Sequence, residues 1–140
     1  MNNKPSASAR LFIPPRDGAP GRLLGSRCRT CDAISFPRRG ICPRCLEREA
    51  LEETTLSSRG VLYSFAVNRQ APEGFVAPYV SGKVDLPEKV RVFSIITGVD
   101  PDEDALRLGQ PMELVFGPLP RDPAAGEFWS YMFRPVGEGS

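Results

Sequence analysis

The chain has 140 residues, about the size of one ordinary domain or of a small metal-binding module joined to a compact core. Apolar residues make up 41% and charged residues 25%, with a formal net charge of +1, which is the composition of a soluble globular protein and not of a strongly nucleic-acid-binding chain, so charge points to no partner. The absence of histidine excludes the commonest general base and every imidazole metal ligand. The 13 glycines and 15 prolines favour short strands joined by turns, so the composition predicts a mostly β protein.

The N-terminal segment, residues 1–21, contains no apolar run of signal-peptide length. No other segment approaches the roughly 20 apolar residues that span a membrane. We therefore expect a cytoplasmic protein with no membrane partner. Residues 1–21 are predicted to form an extended arm, which could wrap a partner because a proline-rich segment loses less entropy on ordering than a flexible one.

Four cysteines form two C-x-x-C pairs with ten residues between the pairs; they are Cys28, Cys31, Cys42 and Cys45. Each pair can fold as a tight knuckle that points two sulfurs at one point, and two knuckles can close a tetrahedral site. Four protein ligands leave no coordination position for water or substrate. The spacing therefore predicts a structural Zn²⁺ site in a rubredoxin-like zinc ribbon over residues 22–50.

Two other interpretations of the cysteines stay open. Iron in the same four thiolates would make a rubredoxin-like electron carrier, which the spacing does not distinguish from zinc. Two disulfides would require an oxidising compartment, which nothing in the sequence indicates. A redox-active pair of the thioredoxin kind is disfavoured, because the paired spacing uses all four thiols and no βαβ pattern surrounds them.

Seven arginines lie between residues 22 and 48, against only two acidic residues. Some of them would offset the formal charge of about −2 that four thiolates and a divalent metal carry. Arg38 and Arg39, at the predicted tip of the ribbon, are also candidates to bind the phosphates of a nucleotide-like ligand, because guanidinium groups bind phosphate through paired hydrogen bonds.

From Gly60 onward, apolar residues follow the period of two that is typical of strands. Gly82 indicates a bulge or a sharp bend, and the nearly continuous apolar run 90–99 predicts a strand buried on both faces. Five short strands bury enough surface only when they close on themselves, which predicts a five-stranded OB-fold barrel over residues 51–140. The predicted strands lie within residues 60–67, 78–86, 90–99, 112–116 and 127–136.

The aromatic residues of these strands have two possible roles; they are Tyr63, Phe65, Trp129, Tyr131 and Phe133. Outward-facing rings of an OB barrel can stack on the bases of single-stranded nucleic acid, whereas inward-facing rings fill the core. A small barrel needs its rings inside, and the acids and bases of this region are in near balance. We therefore assign the rings to the core and regard nucleic-acid binding as the weaker interpretation.

The loop between the first two barrel strands, residues 68–78, contains the apolar residues Phe75 and Val76. One interpretation is that Phe75 caps an end of its own barrel. The other is that Phe75 and Val76 contact a partner protein or form the wall of a substrate channel.

The order of these motifs resembles the family of zinc-ribbon/OB-fold proteins that accompany thiolase-type and related acyl-CoA enzymes as small subunits or fused domains. Members of this family often have a helix before the ribbon and a glycine after the first C-x-x-C, where this chain has Pro14-Pro15 and Asp32. The matching segments are the two C-x-x-C pairs, FPRR at 36–39, ICPRC at 41–45, RGVLYSF at 59–65, the GF…PY loop at 74–79, LGQPMELVF at 108–116 and FRP at 133–135.

The resemblance implies a non-catalytic accessory subunit in a hetero-oligomer. Its partner would be a thiolase-type catalytic subunit, and its ligand the CoA part of an acyl-CoA thioester. A histidine-free chain whose cysteines all belong to a closed metal site has no obvious catalytic apparatus, which agrees with this role. Arg38 and Arg39 are then the candidates for the CoA phosphates, and Phe75 and Val76 for the partner or channel. The alternative is a stand-alone OB-fold binder of single-stranded nucleic acid.

Overall fold

The computed structural model describes residues 11–71, 73–121, 124 and 129–136, so the first ten residues of the predicted N-terminal arm lie outside the described residues. The described chain contains nine β-strands joined by turns, and none of its segments forms a helix that could cross a membrane. The strands are β1 (Phe12–Ile13), β2 (Arg22–Cys28), β3 (Ile34–Ser35), β4 (Leu51–Thr55), β5 (Arg59–Asn68), β6 (Tyr79–Asp85), β7 (Arg91–Ile96), β8 (Pro111–Pro118) and β9 (Trp129–Pro135).

The first four strands form an antiparallel sheet in which β1, β3 and β4 all pair with β2. Strand β4 runs along most of β2, from the pair Leu24 and Thr55 to the pair Cys28 and Leu51. The sheet thus includes two strands outside the range predicted for the zinc ribbon, residues 22–50, because β1 precedes this range in the sequence and β4 follows it. The division of the chain into 1–21, 22–50 and 51–140 stays a prediction.

The last five strands close into a barrel with the order β5-β6-β7-β9-β8. All neighbouring strands are antiparallel except β7 and β9, which are parallel and meet at Ile96 and Phe133. A ribbon-like sheet followed by a closed barrel of five strands confirms the predicted fold class.

The irregularity predicted at Gly82 lies instead in the neighbouring strand. A β-bulge in β5 falls between Leu62 and Ser64, so Tyr63 has no partner in β6. Bulges of this kind change the direction in which a side chain points from the sheet. Gly82 itself pairs regularly with Phe65, and it is needed because a Cβ there would lie 2.7 Å from the carbonyl oxygen of Ser64.

One hydrophobic cluster extends through both parts of the molecule. It contains Phe12 and Leu23 from the first sheet together with Met112 and Phe133 from the barrel, all of them at most 1% exposed. The Phe12 ring lies 5.1 Å from the ring of Phe116 in β8. The first sheet therefore packs directly on the hairpin formed by β8 and β9.

The predicted burial of the strand aromatics is confirmed for most of them. Phe133 is fully buried, and three others are half-buried against the same cluster; these are Phe65, Trp129 and Tyr131. The prediction is wrong for Tyr63, which is 48% exposed. The bulge explains this difference, because an extra residue in β5 breaks the alternation that would have pointed Tyr63 inward.

Strand β7 is not buried on both faces as its apolar run predicts. Its residues alternate between buried and accessible positions, and Phe93 is 59% exposed. Only one face of each strand in a closed barrel faces the core. The outer face of β7 is left uncovered, which the apolar run in the sequence does not show.

Candidate metal centre and ligand cleft

The fold brings the four predicted ligands together at one end of the first sheet. The sulfur atoms of Cys28, Cys31, Cys42 and Cys45 all lie within 4.8 Å of one another. The Sγ atoms of Cys28 and Cys45 are 3.6 Å apart, as are those of Cys31 and Cys42. A tetrahedral zinc about 2.3 Å from each sulfur requires sulfurs about 3.8 Å apart. The donor set and its spacing therefore fit a zinc ion.

Each C-x-x-C pair folds as the same tight turn. The backbone amide of Asp32 donates to the carbonyl of Cys28 at 2.7 Å, and the amide of Leu46 donates to the carbonyl of Cys42 at 2.9 Å. Asp32 and Leu46 have the left-handed φ angles of 70° and 67°. The two knuckles are thus equivalent, and the residue after each pair reverses the chain.

Hydrogen bonds from backbone amides lower the pKa of two of the cysteines and so favour the thiolate form that binds a cation. Hydrogen bonds from the amides of Cys45 and Arg44, each 3.4 Å long, lower the pKa of Cys42 to about 6. The backbone of Cys31 likewise lowers the pKa of Cys28. The backbone of Glu47 lowers the pKa of Cys45, but burial and the three neighbouring thiols raise it to about 12 overall. A divalent cation would displace the protons that remain on the cluster.

The cluster can hold a metal but leaves it no open position. Four sulfurs would complete the tetrahedron, so a bound zinc would join the end of β2 to the segment around Ala50 without acting as a Lewis acid. The same sulfurs would also hold iron, so the distinction between the two metals stays open.

Arg38 and Arg39 line a cleft of about 340 Å³ beside β4. Arg38 donates from Nη1 to Glu53 at 3.0 Å. Arg39 is exposed and has no ion pair within the described ranges, and its backbone amide donates to the hydroxyl of Ser26 at 3.0 Å. The wall of the cleft also contains Glu52. Sequence reasoning missed these two acids because no motif shows that β4 folds back along β2.

The loop that contains Phe75 and Val76 is attached to the connection after β8. The Phe75 ring lies 5.8 Å from the Tyr79 ring and 5.8 Å from the guanidinium carbon of Arg121, and the amide of Val76 donates to the carbonyl of Pro120 at 2.8 Å. Phe75 is half-buried, whereas Val76 is 45% exposed.

A cavity of about 210 Å³ lies next to this loop. The described part of its lining contains no charged side chain, although polar atoms contribute slightly more of its surface than apolar atoms do; it includes Pro78, Tyr79, Ile96, Val99, Pro118 and Met132. The structure thus places the two predicted ligand regions on different parts of the molecule, with the arginines on the first sheet and the Phe75 loop on the barrel.

Two family models match this chain in succession. Residues 12–52 match the model described as "ChsH2, rubredoxin-like zinc ribbon domain", and residues 53–117 match "ChsH2, C-terminal OB-fold domain". Their order agrees with that of the observed sheet and barrel, whereas the second match ends before β9, the last strand of the barrel.

Curated relatives and a solved structure are similar over most of the chain. A "DUF35 domain-containing scaffold protein" of Methanocaldococcus jannaschii is 34% identical over 81% of this chain and 82% of its own length. The "Benzoylsuccinyl-CoA thiolase subunit BbsA" of Thauera aromatica is 35% identical over 90% of this chain and 85% of its own length. The solved structure "Ltp2-ChsH2(DUF35) aldolase" has a TM-score of 0.64 and 30% identity, covering 81% of this chain and 84% of that one.

Proposed function

Because the chain belongs to the ChsH2 family of proteins with a rubredoxin-like zinc ribbon and an OB-fold domain, we propose that it is a non-catalytic accessory subunit of a thiolase-type enzyme. In this role it stabilises the complex and helps to bind the CoA part of an acyl-CoA thioester. The observation that carries the proposal is the similarity, over 90% of this chain, to a protein named as a thiolase subunit.

The described residues support a role without chemistry of its own. Histidine is absent from the chain, and the four thiols lie in one cluster that a single metal would close. Among the described side chains, the Ser57 hydroxyl donates to Glu88 at 2.8 Å, but the backbone amide of Ser57 donates to the same oxygen, so this contact ties the connection after β4 to the turn after β6 and is not the nucleophile–base pair of acyl transfer. The catalytic groups then belong to the partner subunit.

We assign the phosphate part of CoA to the cleft beside β4. Arg39 is its principal cation, because its guanidinium has no competing ion pair among the described residues. Arg38 is already held by Glu53, which fixes its position but competes for the same donor atoms. Structural zinc would support the cleft from the neighbouring knuckles.

We assign the partner or channel contact to Val76 and the rim formed by its loop. Phe75 packs on Tyr79 and Arg121 and so supports the loop, while the exposed Val76 is free to contact another molecule. The neighbouring cavity is small and has no charged side chain in its described lining, so it suits part of the pantetheine arm, which is uncharged, or a short acyl group.

The first test is purification of the tagged protein from its native cells at moderate salt, with mass analysis of the co-purifying chains. A stoichiometric subunit with a thiolase-type sequence and CoA-thioester activity is the expected result. A protein that emerges alone or with nucleic acid would contradict the accessory role and favour the strand-binding alternative.

The second test measures CoA binding by the purified complex with Arg39→Ala and Arg38→Ala. Because Arg39→Ala removes a charge-assisted contact with phosphate, we expect it to raise the Kd for CoA roughly tenfold, and we expect a smaller increase for Arg38→Ala. Added salt should weaken CoA binding by the unsubstituted protein more than by Arg39→Ala. Arg48→Ala is the matched control, because Arg48 is an exposed ribbon arginine outside the cleft. Equal affinities in all four proteins would refute the phosphate assignment.

A further inference from the structure

The outer surface of β5, β6 and β7 presents large apolar side chains to solvent. Val61 is 46% exposed, Tyr63 48% and Phe93 59%. The strand register places them together: Val61 lies opposite Asp85, which pairs with Arg91, and the next row joins Ser64, Lys83 and Phe93. Side chains directly opposite one another on a sheet lie about 5 Å apart at Cβ. We call this surface the outer aromatic face, defined by Val61, Tyr63, Lys83, Arg91 and Phe93.

Contacts within the barrel hold the outer aromatic face in place. The guanidinium carbon of Arg91 lies 3.3 Å from the centroid of the Tyr63 ring. Arg91 also donates two hydrogen bonds to Asp85, at 2.6 and 3.0 Å. On the other side, the hydroxyl of Tyr131 donates to the carbonyl of Phe93 at 3.0 Å. A face with little freedom left loses little entropy when a partner covers it.

The charge on this face identifies the kind of partner. Arg91 is neutralised by Asp85, and Arg59 at the edge of the face lies 3.5 Å from Glu113, a carboxylate that it shares with Arg134 at 2.9 Å. Lys83 is exposed, lies beside Phe93, and has no ion pair within the described part of the chain. A nucleic-acid strand presents a phosphate at every nucleotide and needs a row of free cations. A single free cation among apolar side chains fits instead a protein surface with one carboxylate.

We propose that the outer aromatic face is the docking surface for the catalytic subunit. The partner surface that fits it is apolar and carries a carboxylate opposite Lys83. Tyrosine and arginine are enriched among the residues that dominate binding energy at interfaces, and both lie here in fixed positions. This inference rests on the proposed function, because it takes the partner from that proposal.

The test uses the thiolase-type subunit identified by the purification described above and measures its Kd for the full-length, zinc-loaded chain. Phe93→Ser removes an exposed ring without opening the core, and Lys83→Glu reverses the free charge. Each change should weaken binding by roughly tenfold or more, and the Lys83→Glu effect should shrink at high salt. Lys83→Arg keeps the positive charge and should bind as tightly as the unsubstituted chain. The matched controls are Leu46→Gly, at an exposed leucine on the ribbon, and Lys89→Glu, at an exposed lysine in the turn after β6.

The outcomes separate this inference from the proposed function. If the unsubstituted chain binds the catalytic subunit and Phe93→Ser and Lys83→Glu bind equally well, the docking surface is elsewhere while the accessory role stands. If the unsubstituted chain binds no such subunit, the accessory role fails first. If Phe93→Ser instead abolishes binding to a short single-stranded oligonucleotide, or dissociates a dimer of this chain, the face serves that occupant and the inference is overturned.

Discussion

Leu46 combines a backbone conformation that favours glycine with a side chain that is 70% exposed. A φ of 67° costs an L-amino acid about 1 kcal/mol or more, and an exposed leucine recovers little of it by burial. We predict that Leu46→Gly leaves the free energy of unfolding of the zinc-loaded protein unchanged or raises it by up to about 1 kcal/mol. Chemical denaturation at saturating zinc measures this change.

Ile41 provides the control for this prediction. It lies in the same knuckle, is 37% exposed and has no left-handed φ, so Ile41→Gly should destabilise the protein by about 0.5–1 kcal/mol or more. An equal loss of stability in the two variants would show that the conformation of Leu46 carries no strain.

The metal ligands could be predicted from the sequence because their geometry is local. Each C-x-x-C forms its own turn, and only the meeting of two turns depends on the fold. The state of Arg38 could not be predicted in the same way. Its ion pair with Glu53 depends on the register of β4 along β2, and a short polar strand carries no period that reveals this register.

The contact between the first sheet and β8 depends on the absence of a side chain at Gly21. A Cβ there would lie 2.3 Å from Cε1 of Phe116. The Phe116 ring cannot move away easily, since it is packed between Phe12, 5.1 Å away, and Trp129, which is stacked on it at 5.8 Å. We predict that Gly21→Ala destabilises the protein by about 1–3 kcal/mol.

Thermal or chemical unfolding of Gly21→Ala and Gly40→Ala provides the measurement. A Cβ at Gly40 would meet no atom within 4 Å, so this control should unfold almost as the unsubstituted protein does. If both variants are equally stable, the Phe116 ring is free to rearrange and the contact between the sheet and β8 is looser than its geometry indicates.

Strand β9 contributes a pH dependence through Tyr131. Burial raises the pKa of the Tyr131 hydroxyl above its usual value of about 10. The folded state therefore keeps this proton after the unfolded chain has lost it, and stability falls as the pH rises from about 10 towards the folded-state pKa. Tyr131→Phe should remove this part of the decline. At neutral pH the same substitution should lower the free energy of unfolding by about 1 kcal/mol, because the hydrogen bond to the carbonyl of Phe93 is lost.

Unfolding curves of the two proteins between pH 8 and pH 11 isolate the contribution of Tyr131, because the other titrating groups are common to both. Stability curves that stay parallel over this range would show that Tyr131 titrates equally in the folded and unfolded chains.

The strands of the barrel could be predicted because their apolar residues either alternate with polar ones or form short β-branched runs between turn residues. The pattern located β5, β6, β8 and β9 within a few residues. It did not reveal which face of β7 is covered, since Phe93 is as apolar as the core residues beside it. It also missed β4, whose residues are mostly polar and which pairs with β2 across the intervening segment that carries the metal knuckles.

The first sheet and the barrel share one hydrophobic cluster, so a change that unfolds one part should also destabilise the other. Leu56, in the connection between the two, is 1% exposed, and its amide donates to the carbonyl of Leu23 at 3.0 Å. The hydroxyl and amide of Ser57 both donate to Glu88 in the turn between β6 and β7, each at 2.8 Å. Folding of the sheet is therefore coupled to folding of the barrel.

Removal of zinc should accordingly destabilise the barrel as well as the ribbon. The binding energy of a structural zinc contributes to the free energy of folding. Without zinc the knuckles lose their order, and with them the first sheet that packs against β8. Trp129 is the only tryptophan of the chain and stacks on Phe116, so its fluorescence reports on the barrel side of this contact. We predict that a chelator under reducing conditions lowers the melting temperature measured by Trp129 fluorescence and by circular dichroism together, and that zinc restores both. If Trp129 fluorescence keeps its original transition after the metal is lost, the barrel folds independently and the shared cluster does not couple the two parts.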